Sequence, residues 1–110
     1  MHSGASANKI FDLERSILKA LCLGQAATSE SARRSLAAHT WQDQEHRVVY
    51  EALQKLRAHD PEFLRERLPA QATRMGFPDV DWNAYFAPAD VSVDIEQLIR
   101  ELAATLAKRQ

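Results

Sequence analysis

The side chains best suited to chemistry lie near the middle of the chain, where imidazole and carboxylate groups could bind a metal ion. The candidates are His39, Asp43, His46 and His59. Asp43 and His46 fall at the start of a predicted helix, whereas His39 precedes that helix and His59 follows it, several turns from His46. This spacing does not bring the four groups to one point. We therefore expect surface or capping histidines and no metal site.

Motifs for nucleophilic catalysis and phosphate binding are missing from the sequence. It contains no glycine-rich phosphate loop, no paired-cysteine zinc motif and no G-x-S-x-G elbow. The one cysteine, Cys22, falls inside an apolar helical segment, which favours a small core residue over a nucleophile. We therefore expect a non-catalytic protein without a cofactor.

Length and charge point to one small domain with a modest core. The chain has 110 residues, and its 14 basic and 15 acidic residues give a formal charge of -1. That balance lacks the broad positive field of non-specific nucleic-acid binding. With no signal-peptide pattern and no apolar run near 20 residues, we expect a cytoplasmic protein that does not enter a membrane. We divide the chain into a disordered lead, residues 1–9, and a single helical interaction domain, residues 10–110.

Apolar residues at helical spacing predict an all-α fold, a compact bundle of about five or six helices with a long C-terminal helix. The predicted central helix begins after its N-cap Asp43, carries Val49 and Leu53 on its apolar face, and ends near Ala58. Trp41 precedes it as an anchor for the loop. We expect this helix at the centre of the domain.

The first predicted helix is capped by Asp12 and ends at Gly24. Its apolar face is formed by Leu13, Ile17, Leu18 and Leu21, and its wetter side by Glu14, Arg15 and Lys19. A second helix follows a cap at Thr28 or Ser29.

Proline and aspartate mark the boundaries in the second half of the chain. Asp60-Pro61 starts a fourth helix, which Pro69 is expected to interrupt. Asp79 or Asp81 then caps a short helix. Its aromatic residues predict core packing rather than nucleobase stacking: Trp82, Tyr85 and Phe86.

The last predicted helix starts at Ser92 or Asp94 and carries a regular apolar stripe almost to Gln110. This stripe either closes the core or offers a helix-in-groove surface to another protein. We expect the exposed members of this stripe to bind the partner. The candidates are Leu98, Ile99, Leu102 and Leu106. The substitution Leu102→Asp would then abolish binding without unfolding the domain.

Two blocks of the sequence resemble a known domain. Glu14-Arg15-Ser16-Ile17-Leu18-Lys19-Ala20-Leu21 resembles the opening helix of the N-terminal domain of bacterial replicative DNA helicases of the DnaB type. Trp41-Gln42-Asp43-Gln44-Glu45-His46-Arg47-Val48-Val49-Tyr50-Glu51-Ala52 is similar to that domain's pattern of aromatic, Asp, His-Arg, apolar pair, aromatic and Ala. The spacing between the blocks also fits, and a related helical fold forms the C-terminal helicase-binding domain of bacterial primases.

The resemblance implies a protein-protein interaction domain of DNA replication, with a replicative helicase or a primase as its partner. It implies a structural motif made of Trp41, Asp43, His46, Arg47 and Tyr50, none of them catalytic. The helicase family has a nucleotide-hydrolysing domain with a phosphate loop, which this sequence lacks, so we expect no helicase activity. The segment after residue 59 lacks that family's Gly-containing turn. The ending Leu-Ala-Lys-Arg-Gln favours the primase-like version.

Two other functions remain open. A nucleic-acid-binding helical module would need the arginines of the middle segment to gather on one face: Arg33, Arg34, Arg57, Arg65 and Arg67. A homodimer through the last helix would show concentration-dependent mass and stability. The near-neutral charge makes direct nucleic-acid binding the less favoured of these.

Overall fold

Six helices form the secondary structure in the described part of the computed structural model, which comprises residues 3–25, 27–57, 60–87 and 94–108. No strand occurs among these residues. The predicted all-α fold is confirmed. In chain order the helices are α1 (Ser3–Cys22), α2 (Glu30–Ala38), α3 (Gln44–Leu56), α4 (Pro61–Arg74), α5 (Trp82–Phe86) and α6 (Ile95–Lys108).

The helix at the centre of the domain is α1, not α3 as the sequence suggested. It contacts α3, α4, α5 and α6, because it carries apolar side chains on two sides. One side forms the first core cluster with α2 and α6: Ile10, Leu13, Ile17, Ala20, Ala32, Leu36, Ile95, Ile99 and Leu102. The other side forms the second cluster with α3, α4 and α5: Leu18, Cys22, Val49, Ala52, Leu53, Leu64, Leu68 and Tyr85.

The start of α1 differs from the prediction. The helix begins at Ser3, so Asp12 lies inside it as an exposed residue and does not cap it. Residues 3–9 belong to the helix instead of an irregular lead, while residues 1 and 2 lie outside the described part. The missed signal is Ile10, which is fully buried and extends the stripe of Leu13 and Ile17 by one turn. Gly24 ends the helix as predicted, with φ +94°.

Capping side chains start four of the helices where the sequence predicted them. Asp43 accepts hydrogen bonds from the amides of Glu45 (2.9 Å) and His46 (3.3 Å). Ser29, Asp60 and Asp94 act in the same way at α2, α4 and α6. These bonds satisfy amides that the helices themselves leave free.

Pro69 does not interrupt α4, contrary to the prediction. The helix continues to Arg74, and its buried stripe Leu64, Leu68 and Ala72 passes beside the proline at one-turn spacing. This stripe packs against α3 in the second cluster, which offsets the backbone hydrogen bond that a proline removes. The hydroxyl of Thr73 donates to the Pro69 carbonyl oxygen (2.9 Å).

The apolar stripe of α6 closes the core on α1 and α2. Ile95, Ile99 and Leu102 are buried, with Leu102 only 3 % exposed, whereas Leu98 and Leu106 are half-buried. The expectation that Leu102→Asp would leave the fold intact is therefore wrong, because the carboxylate would enter the first cluster.

Several predicted positions lie outside the described residues. They are the alternative cap Ser92, the predicted helix ends at residues 58 and 110, and His59. Among the described helices, none combines the length and the hydropathy that a membrane span requires.

Arg57 ends α3 in the left-handed region, with φ 51° and ψ 36°, and its amide donates to the Leu53 carbonyl oxygen. An L side chain in this region costs roughly 1 kcal/mol, which glycine avoids. We expect Arg57→Gly to raise the free energy of unfolding in urea by about 0.5–1 kcal/mol. Gly76→Ala is the matched control. At φ +86° an added Cβ meets nothing within 4 Å, so strain alone should lower stability. Equal effects of both changes would contradict the backbone explanation.

Candidate functional site

The carboxylate of Glu14 lies at a buried junction between α1, the end of α2 and the start of α3. Its Oε2 accepts hydrogen bonds from His39 Nε2 (2.6 Å) and the Gln42 amide (2.9 Å), and its Oε1 lies 2.9 Å from His46 Nδ1. Glu14 is fully buried, as is His46. We call Glu14, His39, His46 and the Gln42 amide the Glu14 cluster.

This cluster corrects three expectations from the sequence. Glu14 is not on the wetter side of α1, and the side chains of His39 and His46 are buried rather than on the surface. The two histidines also converge, because the short connection between α2 and α3 folds His39 back over α1. His39 does occupy the C-cap position of α2, where its backbone amide donates to Leu36.

Aromatic rings shield the Glu14 cluster from water. The ring of Phe11 lies 4.5 Å from that of His46, and Trp41 packs edge-on against His39 at 4.7 Å between centroids. Trp41 also packs against Tyr50, at 4.9 Å. The predicted loop anchor Trp41 is thus half-buried against two partners, and both aromatic residues of the predicted motif contact each other.

Electrostatics in the cluster favour an ionised Glu14. Burial alone would raise the pKa of this carboxyl, but hydrogen bonds from His39, His46 and the Gln42 amide outweigh it and lower the pKa from 4.5 to about 2. The hydrogen-bonding pattern assigns the tautomer of His46 in which Nδ1 carries the proton and donates a hydrogen bond to Glu14. The opposite nitrogen, Nε2, has no hydrogen-bond partner among the described residues. A carboxylate so strongly hydrogen-bonded is a poor proton acceptor.

A second polar cluster joins α1 to α3 and α5. Glu45 Oε2 accepts hydrogen bonds from the Tyr85 hydroxyl (2.6 Å) and from Arg15 Nη2 (3.1 Å). The Arg15 guanidinium lies over the rings of Phe11 and Tyr85, at 5.1 and 5.5 Å. Burial and the bond to Glu45 raise the pKa of Tyr85. Sequence reasoning placed Tyr85 in the core, which is confirmed, but missed Glu45.

Both clusters join helices through hydrogen bonds. The histidine nitrogens that face Glu14 act as hydrogen-bond donors to its oxygens. The described residues contain no group of three or more His, Cys, Asp or Glu placed to hold a metal ion. Burial raises the pKa of the Cys22 thiol to about 12, which disfavours the reactive thiolate.

A furrow on the surface runs between α2 and α6. One end is an apolar hollow of about 240 Å³, lined by Ser35, Leu36, Ala38, His39, Ile99, Leu102, Ala103 and Leu106. The other end, of about 410 Å³, is lined by Ser29, Ser31, Ala32, Ser35, Glu96, Ile99, Arg100 and Ala103. Three residues predicted to bind a partner, Ile99, Leu102 and Leu106, line this α2–α6 furrow, whereas Leu98 does not.

The remaining predicted residues do not form a site. Arg47 is exposed on α3. The five arginines of the nucleic-acid alternative are exposed on α2, α4 and at the end of α3. Among the described helices, the backbone of α2 lies close only to that of α6. Arg33 and Arg34 are engaged locally, with the Thr28 carbonyl oxygen (2.9 Å) and Glu30 (2.7 Å).

Comparison of the chain with protein-family models, curated proteins and solved structures finds no match. The two blocks bond to each other directly: Glu14 of the first block pairs with His46 of the second, and Arg15 pairs with Glu45.

Removing the charge of Glu14 should destabilise the domain. We expect Glu14→Gln to lower the free energy of unfolding by roughly 3 kcal/mol, because an amide nitrogen would face buried donors. Glu30→Gln, which breaks an exposed pair with Arg34, should change stability by less than about 0.5 kcal/mol. Urea denaturation of both variants measures this. Similar losses would contradict a special role for Glu14.

The pH dependence of stability should carry the signature of Glu14. Its folded pKa of about 2 lies below the ordinary 4.5, so its contribution is complete above pH 4.5 and is lost as the pH falls through 2. At neutral pH the shift corresponds to a contribution on the order of 3 kcal/mol. Urea denaturation between pH 5 and 2 should show a steeper fall in wild type than in Glu14→Gln. Parallel curves would exclude this linkage.

Proposed function

We propose that this chain is a non-catalytic protein-protein interaction domain of the DNA-replication machinery. In the favoured, primase-like version it binds the replicative helicase. In the helicase-like version it binds the primase. The partner in either version is another protein, and no cofactor takes part.

The observation that carries this proposal is the direct bonding of the two sequence blocks that resemble the DnaB-type helicase domain. His46 contacts Glu14 at 2.9 Å inside the core, and Arg15 bonds to Glu45 at 3.1 Å on its edge. Residues that are neighbours in each block therefore pair across the same α1–α3 junction. This supports reading the blocks as parts of one packed unit, because two helical motifs that matched separately by chance need not meet.

A non-catalytic role is supported by the state of the groups that could do chemistry. The Glu14 carboxylate is buried and accepts three hydrogen bonds, and the Cys22 thiol is buried with a raised pKa. These groups are occupied in holding helices together. The surface offers instead the α2–α6 furrow, whose apolar end includes half-buried Leu106. A standard interface of about 800 Å² per partner would extend beyond such a furrow onto neighbouring helices.

The proposal is tested by titrating the chain against the replicative helicase and, separately, the primase of the same organism. Size-exclusion light scattering on each mixture gives the stoichiometry. We expect saturable binding to one of the two proteins. Binding to the helicase supports the primase-like version, and binding to the primase supports the helicase-like version. Binding to neither contradicts the proposal.

The same samples test the two other functions. A nucleic-acid-binding module would bind an oligonucleotide with an affinity that falls steeply between 50 and 200 mM salt, as expected when phosphate contacts dominate. A homodimer would double its mass as the protein concentration rises. Either result without helicase or primase binding would replace the replication role.

A further inference from the structure

The α2–α6 furrow exists because α6 carries a longer apolar stripe than α2 can cover. The helix α6 has 14 residues, whereas the nine residues of α2 bury only Ala32 and Leu36. Ile99 and Leu102 form the floor, and the exposed alanines Ala38 and Ala103 form low walls.

The size of the apolar end suits a large side chain from another molecule. Its volume is about 240 Å³, whereas a cavity of ~150 Å³ already accommodates a benzene molecule. Leucine or phenylalanine would fit there. The small walls also let the backbone of a helix approach closely.

The other end of the furrow is lined by the carboxylate of Glu96. Glu96 Oε1 accepts a hydrogen bond from the Ser29 amide (3.0 Å), but its Oε2 is shielded and has no hydrogen-bond partner within the described part of the chain. Hydrogen bonds from Ser29 and the charge of Arg100 lower the pKa of Glu96. The Arg100 guanidinium itself donates to Gln97 (3.1 Å). A half-buried carboxylate that lines a furrow favours a cationic donor.

The two ends form one continuous surface, because both are lined by Ser35, Ile99 and Ala103. Ten residues of α6 separate Glu96 from Leu106, which corresponds to about 15 Å. We propose that the α2–α6 furrow binds an amphipathic helix of a partner protein, which inserts an aliphatic or aromatic side chain beside Leu106 and places a lysine or arginine on Glu96. This deepens the proposed function and rests on its premise that the chain is an interaction domain.

A helix fits this surface better than an extended strand. The described residues contain no sheet edge to which a strand could add, whereas grooves between helices are common sites for amphipathic helices. Two anchors about 15 Å apart correspond to two to three turns of the bound helix. The basic and apolar anchors should therefore be separated by roughly seven to eleven residues.

The test is selection from a phage-displayed library of amphipathic helical peptides of about 18 residues, with the intact chain as target. We expect selected peptides to share one large apolar and one basic residue at that spacing. Ala103→Arg should weaken their binding at least tenfold, because it fills both ends of the furrow. Ala104→Arg is the matched control, since Ala104 is exposed on α6 but does not line the furrow. Circular dichroism verifies the fold of each variant, and Ser31→Arg replaces Ala103→Arg if that variant does not fold.

Charge pairing is tested by a double-mutant cycle. Glu96→Gln should weaken a selected peptide roughly threefold to tenfold, and much less when the basic residue of the peptide is glutamine. No selected peptides, an acidic consensus, equal binding to the Ala103→Arg variant, or additive effects in the cycle would overturn the proposal. A doubling of the chain's own mass that Ala103→Arg abolishes would also overturn the proposal. That result would assign the furrow to a second copy of the chain. If peptides meet every expectation but neither helicase nor primase binds, only the replication role fails.

Discussion

The buried carboxylate of Glu14 is the constraint on which the arrangement of the first three helices depends. An ionised group can remain inside a protein only where donors surround it, and here a backbone amide and two imidazoles supply them. Each donor comes from a different position along the α2–α3 region, so the carboxylate fixes the end of α2, the following loop and the first turn of α3 at once. Replacing such a cluster with apolar residues would relieve the desolvation penalty but lose this directional constraint.

Local features of the fold were predictable because they depend on neighbours in sequence. Asp43 and Asp60 could be assigned as N-caps, and Gly24 as a helix end, since each acts on amides or carbonyls within a few residues. The stripe of α6 was likewise visible as a periodic pattern. The prediction that Pro69 interrupts α4 was wrong because the deciding interaction is not local. The packing of Leu64, Leu68 and Ala72 outweighs the effect of the proline, and this packing depends on α3, which is distant in sequence.

The candidate site was less predictable for the same physical reason. Glu14 occupies a position that looks solvent-facing on an isolated helix, because its donors lie 25 to 32 residues away along the chain. The pairing of Tyr85 with Glu45 spans 40 residues and has no local signal. The two blocks with their conspicuous Glu and His-Arg residues did single out the segments that meet. The blocks could not show which polar residue of one pairs with which residue of the other.

The position of α6 in the chain has a consequence for how the domain is made. Its packing partner α1 ends at residue 22, and α6 begins at residue 95, so about seventy residues are synthesised between them. Until then Ile10, Leu13 and Ile17 lack the surface that covers them, and a nascent chain exposes this side to chaperones, proteases and other nascent chains. Such a long-range contact slows folding, because the entropy of closing the intervening chain is lost before the contact between α1 and α6 forms.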